Sequence, residues 1–343
     1  GTGEVIGFMI VAGVPPIVGV YATFFITAIA AFFGSSKGMI SAAAGSVALV
    51  LAHLVAEYGI QYLFAATILA GILQVALGFL KVGTLMRYIP KPVMTGFVNG
   101  LGIMMFTSQL DHFQGSLLLP LLGLLGIAII FLFPRVTKKI PAPIVAIFVI
   151  TAIVLGFGLD VKTLGDMGSI STDLPRFGIP AVPMTVETLR IIFPTALSVA
   201  IVGLVESLLT AQLVDEITDE KSDKNQETLS QGLGNVVSGF FGGIAGCGMI
   251  GQTIINLNYG GLGRLATFLS GFFMLLSVVL LNGSVVQIPV VALAAVMVVV
   301  SIETINWDSI KRLRTNPKNE SFAMILTVAI VIGTHNLPYR FVA

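Results

Sequence analysis

The feature that most constrains this chain is a series of apolar segments, each about seventeen to twenty residues long, separated by short polar or Gly/Pro-containing breaks. A helix of that length matches the hydrocarbon thickness of a bilayer. Hydrophobic residues make up 56% of the chain and charged residues only 10%, whereas a soluble domain carries about 25% charged residues to keep its surface wet. The sequence therefore predicts an all-α integral membrane protein that crosses the lipid bilayer many times.

Most of the predicted spans have full length. They lie near 1–13 (incomplete), 17–33, 62–79, 92–110, 117–134, 141–157, 189–214, 228–243, 264–282, 288–305 and 321–337. Two further segments are too short to cross alone: about eleven apolar-rich residues between Ser46 and Glu57, and a short run from Gly248 to Asn256 and Asn258. We predict that each of them is an extended stretch followed by a half-helix.

Basic residues predict the orientation of the spans. If both broken segments count as crossings, the loops after the fourth, sixth and twelfth crossings lie on one side, and the positive-inside rule makes that side cytoplasmic. The basic residues of these three loops are Lys81, Arg87 and Lys91, then Arg135, Lys138 and Lys139, then Lys311, Arg312, Arg314 and Lys318. The long polar connection 158–187 is then extracellular and divides the chain.

The two halves resemble each other. Glu4 lies in the first span of one half and Glu206 in the first span of the other, and a Gly/Ala-rich broken segment follows each carboxylate by about forty residues. Interrupted segments at corresponding places in two halves indicate a transporter binding site, and an odd number of crossings before the second half makes the repeat inverted. We predict a first repeat over 1–157, with its first helix incomplete, and a second repeat over 188–343, together forming one transport unit.

The stretch 246–251 reads GCGMIG and matches the G-x-G-x-x-G spacing of dinucleotide-binding folds. That fold requires a βαβ unit, and no alternating strand–helix pattern surrounds this stretch. Glycines also let an anion approach the free N–H groups and the positive dipole at a helix N-terminus, so two half-helix starts near mid-membrane predict an anion site. The alternative is that these small residues only permit close helix packing.

Glu206 follows an uncharged run of fifteen apolar and small residues, 191–205. A charge at that depth costs about 2.5–3.5 kcal/mol on insertion scales, and such residues are usually functional. Glu206 is therefore predicted to bind and release a proton, and Thr210, one turn further on, to donate to the substrate or to that carboxylate. The alternative is a protonated glutamate that only joins two helices. Cys247, the single cysteine, is interpreted as a small apolar residue.

Several stretches resemble the SulP family of sulfate-permease-like anion transporters. The first-helix signature is EVIGFMIVAGVPP at 4–16 with GVY at 19–21, and the eighth-helix and ninth-helix signatures are VESLLTA at 205–211 with Asp215, Asn225, Gln231 and Asn235. The segment FGGIAG at 241–246 resembles the start of the tenth-helix region. The resemblance covers essentially the whole chain. It implies a seven-plus-seven inverted-repeat transporter fold with discontinuous third and tenth helices and with core and gate domains.

The resemblance also implies where substrate and co-ion bind. The predicted substrate-binding residues are Glu4, Ala44, Gly45, Ser46, Glu206, Thr210, Gly248, Met249, Ile250 and Gln252. Gln252 stands where many family members have arginine, so the predicted site lacks a fixed positive charge and the charge of the substrate stays open. The chain also ends before the fourteenth helix and the cytoplasmic STAS domain that are usual in the family.

The predicted function is secondary active transport of a small anion, such as sulfate, bicarbonate or a dicarboxylate, by proton-coupled symport. Sodium is the alternative co-ion, and a passive channel, an exchanger or a nucleobase symporter on the same fold are the alternative functions. An enzyme is not predicted, because the sequence lacks a metal or nucleophile constellation. We expect no cofactor and no metal. We also expect no nucleic-acid partner, since the formal charge is only +1. The expected setting is the plasma membrane (cell inner membrane), as a homodimer.

Overall fold

The computed structural model describes residues 2–84, 90–137, 140–167, 174–280, 282–314 and 317–340. Fifteen α-helices are described there: α1 Thr2–Ala12, α2 Pro16–Phe33, α3 Gly45–Tyr58, α4 Ile60–Phe79, α5 Lys91–Gln109, α6 Leu118–Leu132, α7 Ala142–Phe157, α8 Val186–Thr218, α9 Lys224–Phe240, α10 Ile250–Asn258, α11 Arg264–Leu280, α12 Asn282–Val285, α13 Val290–Thr304, α14 Trp307–Lys311 and α15 Lys318–Arg340. Two three-residue strands, β1 Ser41–Ala43 and β2 Gly246–Gly248, directly precede α3 and α10. Apart from these two short strands, the described regular structure is helical, which confirms the all-α prediction.

Each predicted span corresponds to a described helix, and the two segments predicted to be broken are a short strand followed by a helix. The apolar pattern predicts a start of α9 at 228, but the helix begins at Lys224. Asp223 is its N-cap, and the Asp223 carboxylate accepts hydrogen bonds from the N–H groups of Asn225 and Gln226. Hydropathy detects the apolar body of a helix and not its polar cap, which explains the difference.

Within the described residues, four helices are long and apolar enough to cross a bilayer. They are Pro16–Phe33, Ile60–Phe79, Leu118–Arg135, where a 3₁₀ turn continues α6, and Val186–Thr218. Five shorter apolar helices accompany them: Gly45–Tyr58, Ala142–Phe157, Arg264–Leu280, Val290–Thr304 and Asn319–Gly333. Many large apolar side chains on these helices are exposed, among them Phe79, Phe148 and Leu265. An exposed apolar helix surface is what contact with lipid requires.

The chain forms two compact units. Unit 1 comprises Gly1–Pro90 and Ser171–Leu280, and unit 2 comprises Lys91–Ile170 and Leu281–Ala343. Each unit therefore draws one stretch from each half of the sequence. Two features stay predictions: the inverted repeat, with its boundaries at 157 and 188, and the assignment of core and gate domains. Of the basic residues used to predict orientation, Arg87, Lys138 and Lys139 lie outside the described residues.

Candidate functional site

The two strands of unit 1 form an antiparallel ladder. Ser41 pairs with Gly248, and Ala43 pairs with Gly246. Because the strands run in opposite directions, α3 leaves from one end of the ladder and α10 from the other. A three-residue ladder is about 10 Å long, so the amide-rich starts of both helices point back toward one small region.

Neither helix start is capped by a side chain. Ala44 is the N-cap residue of α3 and Met249 that of α10, and neither makes a side-chain cap hydrogen bond. Alanine and methionine cannot supply the oxygen that usually satisfies the first N–H groups of a helix. Ala44, Gly45 and Ser46 are buried. The first N–H groups of a helix have no acceptor within that helix, and no side-chain cap accepts from them at either start, so the two helix starts are candidate positions for a ligand.

Glu206 of α8 reaches this region. Its Oε2 accepts hydrogen bonds from Ser46 Oγ and from Cys247 Sγ, each at 2.6 Å. Ser46 lies in the first turn of α3 and Cys247 in the middle of β2. The structure therefore brings Glu206 to the α3 start, next to Ser46, another of the predicted site residues. The interpretation of Cys247 as only a small apolar residue is wrong, because its thiol is a hydrogen-bond donor to the carboxylate.

One face of α8 holds β2 in place. Thr210 Oγ1 lies 2.8 Å from the carbonyl oxygen of Glu206 and 3.0 Å from that of Gly248, and Ser207 Oγ accepts the Gly248 N–H at 2.9 Å. The sequence predicts that Thr210 donates to the substrate or to the Glu206 carboxylate. In this structure its hydroxyl points to two backbone carbonyls, so Thr210 positions β2, and contact with substrate stays a prediction.

The backbone donors of Gly248 and Met249 are both occupied. Ser207 accepts the Gly248 N–H, and the Met249 N–H donates to the carbonyl of Ile40 at 2.8 Å. Both N–H groups are therefore engaged within the protein in this arrangement, one by α8 and one by the residue before β1, and contact of Gly248 and Met249 with substrate stays a prediction. On the α10 side, the N–H groups without an acceptor in their own helix are those of the first helical turn, which begins at Ile250.

Glu4 and Gln252 form a second polar contact. Gln252 Nε2 donates to Glu4 Oε2 at 2.6 Å, which joins α1 to the first turn of α10. Both side chains are only 8% exposed. Gln252 also lines a cavity of about 390 Å³, together with Thr23, Ile40, Ile255, Asn256, Tyr259, Ser270, Phe273 and Met274. The structure thus brings these two predicted site residues together beside the start of α10.

No cationic side chain among the described residues is paired with Glu4 or Glu206. Lys37 pairs with Glu220, Lys224 pairs with Asp215, and Arg264 donates to the carbonyl of Gly34. The positive potential at the site then comes from the helix dipoles and the backbone N–H groups. Two carboxylates nearby oppose an anion unless a proton or a metal cation neutralises one of them.

Sequence reasoning missed the polar clamp on Gly246. Asn235 Oδ1 accepts the Gly246 N–H, while Asn235 Nδ2 and Gln231 Nε2 both donate to its carbonyl. Gln74 of α4 accepts a further hydrogen bond from Asn235 Nδ2 at 2.7 Å. Non-helical backbone inside a membrane must have its polar groups satisfied by protein, and this clamp does that for β2. One sequence feature could have indicated this clamp: Gln74, Gln231 and Asn235 are polar residues in helices predicted to span the bilayer.

Gly246 is required at its position for a steric reason. A Cβ atom there would overlap the backbone carbonyl oxygen of Ala42 on the paired strand. The glycines of GCGMIG therefore include one that allows two backbones to approach closely. Within the described residues, no group of three or more His, Cys, Asp or Glu side chains is placed to hold a metal ion.

Comparison with known proteins shows to which family the chain belongs. The sequence profile of the sulfate permease family matches residues 4–118 and 115–327. YbaR of Bacillus subtilis, whose name assigns it provisionally to sulfate transport, is 53% identical over 337 residues, covering 97% of this chain and 70% of YbaR. The bicarbonate transporter BicA of Synechocystis is 31% identical over 321 residues, covering 82% of this chain and 55% of BicA.

A solved structure agrees with the fold. The transmembrane domain of a cyanobacterial bicarbonate transporter, BicA, superposes with a TM-score of 0.89 at 26% identity, covering 98% of this chain and 93% of that domain. Fold and site together define a multi-pass membrane protein of the transporter class, with two broken helices that start at a shared strand ladder. The chain belongs to the sulfate permease family, whose bacterial relatives indicate the plasma membrane.

Proposed function

We propose that this chain is a secondary active transporter that holds a small oxyanion at the uncapped starts of α3 and α10. The observation that carries the proposal is the β1–β2 ladder, which brings two helix starts without side-chain caps to one place. An anion would accept hydrogen bonds from the first-turn amides, which have no acceptor within their own helices. The partner groups are backbone donors, so the site favours oxygen-rich ligands without requiring one particular shape.

The proposed substrate class is sulfate, bicarbonate or a dicarboxylate. The names of the two relatives described above support two of these substrates: YbaR supports sulfate and BicA supports bicarbonate. Within this class, the absence of a paired cation among the described residues around Glu4 and Glu206 favours bicarbonate, which carries one charge, over sulfate and dicarboxylates, which carry two. Electrostatic repulsion from two carboxylates increases with the charge of the anion. A neutral nucleobase is the second candidate, supported by the same lack of a cation.

Glu206 is the proposed co-ion site. Its Oε2 is already bonded to Ser46 and Cys247, and Oε1 has no partner among the described residues. A proton bound to Glu206 would remove one negative charge beside the anion, so that the two are carried together. A sodium ion bound there would have the same electrostatic effect and is the alternative co-ion. The protein is proposed to act as a homodimer in the bilayer, with a core domain moving against a gate domain.

Uptake into proteoliposomes tests this proposal. Labelled sulfate, bicarbonate, a dicarboxylate and uracil are offered with and without an inward proton gradient. We expect at least one oxyanion to be concentrated when the outside is acidic. In Glu206→Gln, which keeps the shape of the side chain, we expect the dependence of uptake on the proton gradient to be lost.

Glu216→Gln is the matched control. Glu216 lies on the same helix but is exposed, and among the described residues its side chain accepts a hydrogen bond from Gln212 alone, at 3.4 Å. It should transport like the unsubstituted chain. Unchanged gradient dependence in Glu206→Gln would remove the co-ion assignment. Concentrative uptake of uracil alone would replace the oxyanion by the nucleobase, and uptake that only follows the substrate gradient would indicate a channel.

A further inference from the structure

The α2–β1 connection, residues 34–40, leads from the end of α2 to the first strand of the site. Two neutral side chains of α10 hold its second part. Asn256 Nδ2 donates to the carbonyl of Gly38 at 2.9 Å, and Thr253 Oγ1 accepts the N–H of Ile40 at 3.0 Å. Gly38 and Ile40 are buried. The residues immediately before β1 are therefore fixed by hydrogen bonds to α10.

A buried carboxylate holds the first part of the connection. Glu227 lies in the first turn of α9 and is only 1% exposed. Its Oε2 accepts the N–H of Ser35 at 2.8 Å and the N–H of Ser36 at 3.0 Å. The Ser35 hydroxyl lies 3.2 Å from the same oxygen but only 2.7 Å from the carbonyl of Asp223. A hydroxyl has one proton, so the two backbone N–H groups are the main donors to Glu227.

The surroundings of Glu227 explain why a carboxylate is placed there. Burying such a group is costly unless hydrogen bonds compensate it, and the two N–H groups do so together with the positive end of the α9 dipole. Lys224, one turn before Glu227, donates to Asp215 at 2.6 Å. Without an oxygen at position 227, the N–H groups of Ser35 and Ser36 would lose their acceptor, which is more costly than the absence of an ordinary surface contact.

The position of the connection determines where α3 starts. β1 follows the connection directly, and α3 begins at Gly45, two residues after the strand ends. A ladder of three residues is too short to be stable alone, and ordering the connection costs conformational entropy. The ladder therefore depends on the hydrogen bonds that hold the chain just before it. Glu227 provides two of these bonds and belongs to the same compact unit as the ladder.

We propose that Glu227 is a positioning residue of the anion site: it holds the α2–β1 connection, and through β1 it fixes the start of α3. This inference rests on the proposed function, in which the α3 start binds the anion. Glu227 itself does not contact the substrate. It should therefore affect the affinity for the anion more strongly than the maximal rate of uptake.

Hydrogen–deuterium exchange of the purified full chain tests the structural step. In Glu227→Leu we expect residues 35–48 to exchange at least roughly tenfold faster, because the connection and the ladder open locally. Exchange in α13 of unit 2 should be unchanged. Glu187→Leu is the matched control, since Glu187 also lies in the first turn of a helix of unit 1 but is exposed. Unchanged exchange of residues 35–48 in Glu227→Leu would overturn the proposal, and so would an equal increase in all helices.

The concentration dependence of uptake tests the functional step, with whichever oxyanion the unsubstituted chain concentrates. We expect Glu227→Leu to raise KM at least roughly tenfold with a maximal rate within about twofold. Glu227→Gln keeps an oxygen that can accept both N–H groups but lacks the charge, so KM should rise only about threefold. A residue that only supports folding would lower the maximal rate and leave KM unchanged.

The remaining outcomes are also decisive. If Glu227→Leu does not fold, Glu227→Gln carries both measurements, and unchanged KM and unchanged exchange in that variant would overturn the proposal. Equal KM values for Glu227→Leu and Glu187→Leu would also overturn it. If the unsubstituted chain concentrates no oxyanion, the proposed function fails, whereas the exchange of residues 35–48 still decides whether Glu227 fixes the start of α3.

Discussion

At the scale of single residues, Glu206 receives both of its described hydrogen bonds on one oxygen. Ser46 Oγ and Cys247 Sγ donate to Oε2 from two different elements, α3 and β2. The carboxylate is therefore oriented by the same two segments that surround the helix starts. Hydrogen bonds to a charged group contribute about 1.5–3 kcal/mol each, so either donor is able to influence the side chain position.

We predict that Ser46→Ala and Cys247→Ala each reduce uptake by roughly tenfold, because each removes one donor to the carboxylate. Their combination should reduce uptake by less than the product of the single effects, since both act through the same oxygen. Proteoliposome uptake measures all three variants. Ser198→Ala is the control, because Ser198 of α8 is exposed and donates only to its own helix, at the Pro194 carbonyl. Fully independent effects of Ser46 and Cys247 would contradict the shared role.

The sequence predicted the carboxylates, and Ser46 and Gln252 as site residues, but not the contacts that join them. Glu206 and Glu4 were recognisable because a charge in an apolar segment is costly. The partners lie far away along the chain: Cys247 is 41 residues from Glu206, and Gln252 is 248 residues from Glu4. Only folding brings such residues together, and a lone cysteine surrounded by glycines has no local signal for a hydrogen bond. The same holds for the clamp of Asn235 on Gly246.

At the scale of elements, α3 and α10 were predictable from length. An apolar segment of about half a span cannot cross the bilayer, and glycines before it permit an extended start. The pairing of β1 with β2 was not predictable, because three residues carry too little pattern to specify a register. The Gly248 amide is occupied by the Ser207 hydroxyl of α8 and the Met249 amide by the carbonyl of Ile40, the residue before β1. The site therefore has fewer free donors than the sequence suggested.

The absence of a side-chain cap on α10 leads to a prediction. Met249→Asp places a carboxylate at the N-cap, where the backbone is already extended, with φ −99° and ψ 106°. This cap should stabilise α10 by about 1 kcal/mol and also occupy the amides proposed for the anion. We expect uptake to fall at least roughly tenfold while the midpoint of thermal unfolding stays the same or rises.

Met249→Leu is the control for this substitution, because it keeps the apolar character and adds no oxygen. It should transport like the unsubstituted chain. Unimpaired uptake by a stable Met249→Asp variant would mean that the α10 start does not bind the substrate. A large fall in the unfolding midpoint would instead assign the loss of uptake to misfolding, and Met249→Asn, a neutral cap, would then be compared.

At the scale of the whole molecule, composition was sufficient for the class of protein. A chain with 10% charged residues and repeated apolar segments had to be a membrane protein, and the helices found agree with the predicted spans. The division into two units was not predictable by cutting the sequence in half, because each unit combines stretches from both halves. Hydropathy shows where helices are but not which helices pack together.

Orientation gives a prediction at this scale. In a background with Cys247→Ala, a cysteine at Arg176 should react with a membrane-impermeant thiol reagent added outside intact cells. A cysteine at Lys311 should react only after the membrane is made permeable. Both positions are exposed in the structure. The physical reason is the positive-inside rule, applied to basic loops that include Lys311. Labelling of both positions from the same side would contradict the predicted number of crossings.

The central claim is that two uncapped helix starts hold the transported anion. It is tested most directly by determining the structure of the protein in a bilayer disc, saturated with whichever anion the unsubstituted chain concentrates. We predict density for the anion within about 3 Å of backbone N–H groups in the first turns of α3 and α10, beside Glu206. Anion density at a different place, with both helix starts still unoccupied, would contradict the claim.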